Sequence, residues 1–178
     1  ISFSDKCGGH TSSKKIIAAL KQFKGKKFNK LYLHELDISK VKFQKKLFYN
    51  SKFGEISFED MTFETCLFEL LDCFNSTFNS WSFSSCTFRE CDFQDVTFSN
   101  CTFTDCEFKS SSFIEGAFHD DTVITNTSFI KGLFIGFFIY DTKAFNNIKV
   151  IETKFNQASI NRANFKNCSW KKCEFTKT

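Results

Sequence analysis

The chain has 178 residues, and its 24 Lys and Arg residues slightly outnumber its 20 Asp and Glu residues. This length is enough for one domain with a real core, and no run of about eighteen apolar residues is present, which argues against a membrane-spanning helix. Phenylalanine occurs 27 times and proline is absent, a composition that is unusual for an ordinary globular domain. The chain starts with Ile1, so we expect it to be a processed or excised piece of a longer protein.

Residues 1–10 are predicted to form a flexible lead-in. Cys7 and His10 could bind a metal ion, but two ligands are too few for a structural site. Hydroxyl residues at 11–13 are suited to cap a short helix over Lys14–Phe23, which we assign within residues 11–25. Ile16, Leu20 and Phe23 share one face of this helix. Because an open end of a stacked structure exposes core and strand edge, we expect the helix to cover the first coil of the region that follows.

From Phe28 onward, a large apolar residue recurs every five residues, and we call each such position a centre. Between Thr62 and Phe118 every centre but Cys73 is phenylalanine. Two residues before each centre lies a slot that is mostly occupied by a small or thiol side chain. A helix requires apolar spacings of three and four, and a strand requires two. The period of five therefore predicts a repeat architecture.

The centres run without interruption from Phe28 to Val123. One extra residue then shifts them to Phe129, Phe134 and Ile139, and a second shifts them to Phe145 and onward to Phe175. A period of five is explained by a chain that turns a corner every five residues. Each shift is therefore predicted to be a one-residue bulge at such a corner, since an extra residue within a straight segment would turn the core side chains outward. Trp81 occupies a slot, so we expect it to turn outward or to widen the interior locally.

The repeating unit is clearest in two segments, Cys86-Thr87-Phe88-Arg89-Glu90 and Cys101-Thr102-Phe103-Thr104-Asp105. This pattern resembles the pentapeptide-repeat proteins. The resemblance implies an all-β fold for residues 26–178, a right-handed, four-sided β-helix of about seven coils with twenty residues per coil. Many members of the family are scaffolds or recognition domains, and some protect bacterial topoisomerases by imitating duplex DNA.

Most of the nine cysteines follow the same period. Seven occupy slots, Cys73 occupies a centre, and only Cys7 lies outside the repeat. The recurrent C-x4-C spacing is the repeat unit and not the C-x2-C spacing typical of metal ligands. We therefore expect buried, reduced thiols that pack as small apolar groups. This predicts a reducing compartment: the bacterial cytoplasm, or the host cytosol if the chain belongs to a secreted effector.

No catalytic arrangement is evident in the sequence. His10, His34 and His119 each stand alone in their repeat units, and no nucleophile elbow, phosphate-binding glycine loop or metal-ligand motif is present. A filled interior also offers no cavity for a substrate. We therefore predict a protein that is not an enzyme and that requires no cofactor or metal.

Charge is distributed unevenly along the chain. The net charge is +10 over residues 1–54, −12 over residues 55–121 and +6 over residues 122–178. This pattern is compatible with solubility and with lysine protection of both ends. It also leaves open a DNA mimic, although an acidic belt of about three coils, roughly 15 Å, is short for a duplex. We rank mimicry second, after a protein-interaction module within a larger bacterial protein such as a secreted effector.

The segment between the two shifts contains more apolar residues than one coil can bury. We predict a partner-binding patch of outward-facing side chains at Ile114, Ile130, Leu133, Ile135, Phe138 and Tyr140. The alternative is that the shifts tuck some of these side chains under a corner, or that a neighbouring domain covers them. We expect a protein partner, no direct nucleic-acid binding and no membrane span. Self-association through the last coil, at Trp170 and Phe175, also remains open.

Overall fold

The computed structural model describes residues 13–34 and 39–178. The predicted lead-in, with Cys7 and His10, lies outside the described residues. The helix α1 is Ser13–Gln22, one residue earlier at each end than the sequence indicated. Its Leu20 is buried, and the ring of Phe23 lies 4.2 Å from that of Phe28 in the first coil. Lys46 Nζ donates hydrogen bonds to the carbonyl oxygens of Phe23 and Gly25. The helix thus packs on the first coil, as the sequence predicts.

The described residues after α1 form an all-β solenoid of about seven turns. Its strands are β1 (Lys27–Asn29), β2 (Tyr32–His34), β3 (Lys42–Gln44), β4 (Leu47–Tyr49), β5 (Lys52–Gly54), β6 (Ser57–Glu59), β7 (Thr62–Glu64), β8 (Leu67–Glu69), β9 (Asp72–Asn79), β10 (Ser82–Ser84), β11 (Thr87–Arg89), β12 (Asp92–Ser99), β13 (Thr102–Thr104) and β14 (Glu107–Lys109). The second half continues with β15 (Ser112–Ile114), β16 (Ala117–His119), β17 (Val123–Thr125), β18 (Ser128–Ile130), β19 (Leu133–Ile135), β20 (Phe138–Tyr140), β21 (Ala144–Asn146), β22 (Lys149–Ile151), β23 (Lys154–Asn156), β24 (Ser159–Asn161), β25 (Phe165–Lys166), β26 (Ser169–Lys171) and β27 (Glu174–Thr176).

These strands stack in parallel into four columns, which we number as faces 1 to 4 in chain order. Face 1 contains β1, β4, β8, β11, β14, β18, β22 and β26, and face 4 contains β3, β7, β10, β13, β17, β21 and β25. Face 2 contains β2, β5, the first half of β9, the first half of β12, β15, β19, β23 and β27. Face 3 contains β6, the second halves of β9 and β12, β16, β20 and β24. Because β9 and β12 run unbroken across the corner, faces 2 and 3 form one twelve-stranded sheet. Faces 1 and 3 are alternate sides of the four and therefore lie on opposite sides of the rod.

The chain turns its corners at residues in the left-handed region. The residue two positions after the centre has a positive φ at corner after corner, for example +52° at Glu90 and +55° at Asp105. This conformation costs an ordinary L-residue about 1–2 kcal/mol. The backbone N–H of the corner residue donates to a carbonyl in the next coil, as from Glu90 to Lys109 at 2.9 Å. Interstrand hydrogen bonding thus offsets the local strain.

Both register shifts lie at corners, as predicted, but the first begins earlier than the sequence indicated. Ile124 is fully buried and pairs with Phe103, so Ile124 is the centre, and the assignment of Val123 as a centre was wrong. The slot is occupied by buried Thr122, whose Oγ1 donates to the carbonyl oxygen of His119 at 2.7 Å. Asp121, which the sequence placed in the slot, is exposed and is the inserted residue. The register of β17 thus follows the hydroxyl of Thr122, which bonds to the backbone in the slot, and not the apolar side chain of Val123.

The interior consists of phenylalanine rings stacked at strand spacing. On face 1, Phe88 lies 4.7 Å from Phe68 and 4.4 Å from Phe108, with the ring planes within 5° of parallel. Neighbouring columns meet edge to face, as Phe88 does with Phe93 at 6.0 Å. Both geometries are favourable for aromatic pairs and add about 0.5–1.5 kcal/mol each beyond burial.

Two large side chains occupy slots where the repeat usually has small ones. Trp81 is buried and stacks on Phe78 at 4.1 Å, so the expectation of an outward turn was wrong. Its indole also lies 5.2 Å from the ring of Phe63 and 5.7 Å from that of Phe83, so it packs among the centres of faces 3 and 4. Phe137 is buried above Gly116, where an added Cβ would come within 2.9 Å of the Phe137 ring. The glycine therefore makes room for the ring.

The last coil leaves apolar side chains partly uncovered. Phe175 stacks on Phe155 at 4.9 Å but has its other side exposed, and Trp170 and Ile160 are also exposed. Self-association through this coil stays a prediction. Within the described ranges, no helix is long and apolar enough to cross a membrane.

The slot cysteines are held by the backbone. Cys91 Sγ lies 3.5 Å from the carbonyl oxygens of Phe68 and Arg89, and Cys101 Sγ lies 3.1 Å from that of Phe78. Burial raises the pKa of the Cys91 and Cys101 thiols to about 12. These thiols are therefore protonated at neutral pH, and the described cysteines are free.

We predict that replacing Phe88 by Ala lowers the free energy of unfolding by about 3–5 kcal/mol, because the ring is 2% exposed and packed on both sides. Thr87→Ala, a change at the outward neighbour on the same strand, is the control and should cost less than about 0.5 kcal/mol. Chemical denaturation of both variants measures the difference. A cost below about 1 kcal/mol for the Phe88 variant would show that the ring is not in a packed core.

We also predict that Cys86, Cys91, Cys101 and Cys106 resist alkylation at pH 8 in the native protein and react after denaturation, because all four side chains are buried. The hydrogen bond with Cys86 lowers the pKa of the Cys106 thiol, so the protection of Cys106 rests on its inaccessibility alone. Cys7 should react first, as the sequence alone suggests. The half-buried Cys168 and Cys173 in the last coils should follow it. Mass spectrometry of peptides after timed labelling measures the order, and rapid native labelling of Cys91 or Cys101 would contradict the burial.

Candidate functional site

The structure distributes the six predicted partner-binding residues over three faces of the rod. Ile130 lies on face 1 beside Ile151. Ile114, Leu133 and Ile135 lie on face 2, where Ile114 pairs with Ile135. Phe138 and Tyr140 lie on face 3, on strand β20. The structure thus brings five of the six residues together around one corner and separates Ile130 behind the corner at Lys131.

The five residues near this corner form a strip that we call the corner strip: Ile114, Leu133, Ile135, Phe138 and Tyr140. Its continuity depends on Gly136, which is the corner residue with φ +56°. The equivalent corner residue one coil earlier is Glu115 and one coil later is Gln157, both of which have side chains. Because Gly136 has none and Phe137 is buried, no side chain separates Ile135 from Phe138 on the surface.

The two aromatic residues of the strip are its most exposed members. Phe138 is 50% exposed, and Tyr140 is 37% exposed. Phe138 pairs in register with Ala117 in the preceding coil and Ser159 in the following one, which are small side chains on either side. The strip therefore presents one protruding aromatic ring between small neighbours on a flat strand face.

The ring of Tyr140 stacks on a hydrogen-bonded cluster of side chains in the preceding coils. Its ring stacks on that of His119 at 5.3 Å with the planes 2° apart. His119 Nδ1 lies 2.8 Å from the carboxylate of Asp120, which also accepts a hydrogen bond from Ser99 Oγ. The bonds from Ser99 and His119 hold the pKa of the Asp120 carboxyl below its usual range. These contacts fix the imidazole and give Tyr140 a rigid base.

This cluster contains serine, histidine and aspartate, but its connectivity differs from that of a hydrolase. In a nucleophilic triad the serine bonds to the histidine, and the carboxylate orients the histidine from its far side. Here Ser99 and His119 both bond to the same oxygen of Asp120. The arrangement orients side chains and does not activate the hydroxyl. Among the described residues, no group of three or more His, Cys, Asp or Glu could hold a metal ion.

The acidic belt of the sequence is concentrated on face 3. Between residues 55 and 162, this face and its two corners carry eight carboxylates and one basic residue, Arg162, which pairs with Asp141 at 2.9 Å. The carboxylates are Glu55, Glu59, Asp60, Asp95, Glu115, Asp120, Asp121 and Asp141. The only two Lys or Arg residues of the segment 55–121, Arg89 and Lys109, lie on face 1. The Phe138–Tyr140 pair thus lies in an acidic face.

Face 1, on the opposite side, is basic. Its strands and corners from residue 26 to residue 172 carry eleven Lys and Arg residues against five Asp and Glu residues. Several carboxylates near face 1 are matched locally, as Glu69 is by Arg89 at 3.8 Å. Opposite sides of the rod therefore differ in charge, with an acidic face 3 and a basic face 1, in addition to the variation of charge along the chain.

Two features of the site were missed at the level of sequence. His119 was interpreted as an isolated side chain, although it lies one coil below Tyr140 and Ser99 lies one coil below His119. Comparison of residues twenty or twenty-one positions apart would have placed them in one column. A charge summed along the chain likewise does not show the excess of carboxylates on face 3, because neighbouring residues on one face are twenty or twenty-one positions apart in sequence.

The family description "Pentapeptide repeats (9 copies)" matches residues 74–112. None of the curated proteins matches the sequence significantly. Among solved structures, that of QnrB1, a plasmid-mediated fluoroquinolone resistance protein, is 14% identical and covers 84% of this chain and 91% of its own, with a TM-score of 0.40. That of HetL, a pentapeptide repeat protein involved in heterocyst differentiation regulation from the cyanobacterium Nostoc sp., is 6% identical and covers 90% of this chain and 95% of its own, with a TM-score of 0.25.

Likeness at these scores says nothing about partners or activity. The family assignment rests instead on the matched segment and on the five-residue register. That register holds in the described coils on both sides of residues 74–112, with centres such as Phe48 and Phe155 buried in the same columns. Residues 74–112 thus match pentapeptide repeats, and the described coils on both sides continue the same five-residue register.

Proposed function

We propose that the chain is a non-enzymatic recognition module that binds a protein partner through the corner strip. The observation that carries this proposal is the exposure of Phe138 and Tyr140 on the side of the rod. The fold buries phenylalanine at nearly every described centre, yet Phe138 is half exposed on β20, a strand that is paired on both sides. Exposed aromatic residues at the middle of a surface are the usual anchors of protein interfaces.

The strip has the composition of an interface centre surrounded by a polar rim. Its middle is apolar, with Ile135 and Phe138 on the two sides of Gly136. Its edge towards the earlier coils carries Glu115, Asp120 and Asp121, which are exposed. A polar rim around an apolar centre is typical of protein–protein interfaces. The acidic rim favours a partner that presents basic groups around an apolar anchor.

The scaffold suits recognition because its surface is preorganised. Each strand of the strip is hydrogen bonded to the coil before and the coil after, and the centres Phe134 and Ile139 are buried beneath it. The stacked ring of His119 further restricts Tyr140. Little conformational entropy is then lost at the strip on binding, which leaves more of the contact energy as affinity. The parent protein would be a larger bacterial protein, such as a secreted effector, that uses this region to select its target.

We predict that changing Phe138 and Tyr140 together to Ser abolishes partner capture while the protein stays folded, since neither side chain is part of the buried interior. The comparison uses immobilised wild-type protein, the double variant, and a control with Tyr49→Ser on the opposite face. Proteins retained by the wild type and the control but lost by the double variant are identified by mass spectrometry and tested again in purified form.

Circular dichroism and thermal melting check the fold of each variant. If a purified partner binds the folded double variant as well as it binds the wild type, the corner strip is not the binding site. If the double variant unfolds, the exposed rings have a structural role and the proposal fails on that ground.

Imitation of duplex DNA is a second candidate, and the concentration of eight carboxylates on face 3 favours it. From Glu55 to Asp141 this face spans about 19 Å at a strand spacing of about 4.8 Å. A duplex carries about eleven phosphate charges over that length, so the charge density is comparable. The length, however, is only about half of a helical turn of about 34 Å. Mimicry therefore stays second, and a supercoiling assay with purified bacterial gyrase, with and without this protein, tests it directly.

A further inference from the structure

The side faces of the rod are complementary to each other. Face 3 is acidic and carries the protruding Phe138 and Tyr140, whereas face 1, on the opposite side, is basic. Two copies that lie side by side can therefore place face 3 of one against face 1 of the other. The ends of the rod are both basic in sequence, which disfavours end-to-end contact between the two ends through charge.

Face 1 also carries an apolar cluster that could receive the two aromatic rings. Leu47 and Leu67 pair in register on neighbouring strands, and both are partly exposed. Tyr49 flanks them, with Lys27 Nζ 4.2 Å from its ring centroid. Leu70, at the adjoining corner, is 39% exposed. We call Leu47, Tyr49, Leu67 and Leu70 the face-1 cluster.

Leu70 is the only apolar side chain among the described non-glycine corner residues with a positive φ. Its φ is +56°, a region that Gly and Asn adopt readily and that other residues occupy at a cost. The corresponding residue one coil earlier is Asn50, with φ +47°. An exposed leucine in this conformation adds strain and buries little within its own chain. An exposed apolar side chain at a position where the other described corners are mostly polar, next to the partly exposed Leu47 and Leu67, is a reason to look for a partner surface.

From these observations we propose that the chain self-associates laterally, with the Phe138–Tyr140 pair of face 3 docking on the face-1 cluster of a second copy. The two docking surfaces differ, so the contact is heterologous and does not close on itself. Each copy keeps one free face 3 and one free face 1, and association continues into open-ended rows. The proposal is separate from external partner binding, although both would use face 3.

The expected association is weak and sensitive to salt. A side about 35 Å long and about 12 Å wide offers roughly 400 Å² per copy. Stable interfaces bury about 800 Å² per partner, so rows should form at high protein concentration and dissociate on dilution. The opposite charges of the two faces are exposed, and the Debye length falls from about 30 Å at 0.01 M salt to about 3 Å at 1 M. Rising salt should therefore weaken the contact.

The test uses two variants of the full chain that each block one surface. The face-3 variant carries Asp95→Asn, Glu115→Gln, Phe138→Ser and Tyr140→Ser and keeps face 1. The face-1 variant carries Lys30→Gln, Lys109→Gln, Leu67→Thr and Leu70→Asn and keeps face 3. Asn suits the left-handed backbone at residue 70, and Thr is already present at the equivalent position 87.

Sedimentation velocity at low salt measures the mass distribution of the wild type, of each variant and of their equimolar mixture. We expect wild-type protein to form species larger than a dimer, and each variant alone to be monomeric. The mixture should form a dimer of about twice the mass of either variant and nothing larger, because the face-3 variant offers only face 1 and the face-1 variant offers only face 3. No other arrangement of two copies predicts this recovery.

Three results would overturn the proposal: a wild-type protein that stays monomeric at high concentration and low salt, a variant that still associates alone, or a mixture that stays monomeric. Self-association that survives in both variants would instead place the contact at the open last coil. If either quadruple variant is unfolded, a double variant with only the exposed charge changes takes its place. These double variants are Asp95→Asn with Glu115→Gln on face 3, and Lys30→Gln with Lys109→Gln on face 1. Each of them should reduce the association. A variant that loses external partner binding but still forms rows supports partner binding at the strip and shows that the rows use another contact. A variant that loses the rows but still binds an external partner shows the opposite, so the two proposals can fail independently.

Discussion

Stacking of equivalent residues at the spacing of parallel strands is the constraint on which this protein depends. Each coil places its centres directly above those of the coil before, so a ring such as Phe88 lies between Phe68 and Phe108 at less than 5 Å. The parallel hydrogen bonds set this spacing, and an aromatic ring fills it without a gap. The same rule governs the surface, where outward residues twenty or twenty-one positions apart become neighbours.

That rule explains how a solenoid with a packed aromatic interior can carry a functional surface. Stacked rings occupy most of the described interior, and the sides are built from columns of outward residues. Glycine at corner 136 joins two of these columns into the corner strip, and the column of Ser99, His119 and Tyr140 gives the strip a rigid edge. The one-residue bulge at Asp121 lies at the base of this edge. The departures from the repeat therefore coincide with the candidate site.

The sides of the rod also differ in charge in a way that the linear sequence conceals. Summed along the chain, the charge alternates from basic to acidic to basic. Summed by face over the described residues, carboxylates outnumber Lys and Arg on face 3, and Lys and Arg outnumber carboxylates on face 1. Two faces of opposite charge on one rod favour contact of face 3 with face 1 over contact of either face with itself. Recognition of a partner and self-association would then compete for face 3.

The amino-acid sequence by itself determined a repeat architecture with its phenylalanine centres inside, because a period of five fits neither a helix nor a strand. The four-sided β-helix followed from the resemblance to pentapeptide repeats and not from the spacing. The sequence placed the capping helix to within one residue, both register shifts at corners and the cysteines inside. It misplaced the first centre after Phe118, since Val123 and Ile124 are both apolar and only the hydroxyl of Thr122, bonded to the backbone, decides between them. It could not decide the direction of Trp81, because an indole in a slot turns inward only where the surrounding rings, here Phe63, Phe78 and Phe83, leave room for it. Only the tertiary structure decided which outward residues meet, because neighbours on a face are a full coil apart in sequence, and a single inserted residue changes every pairing that follows.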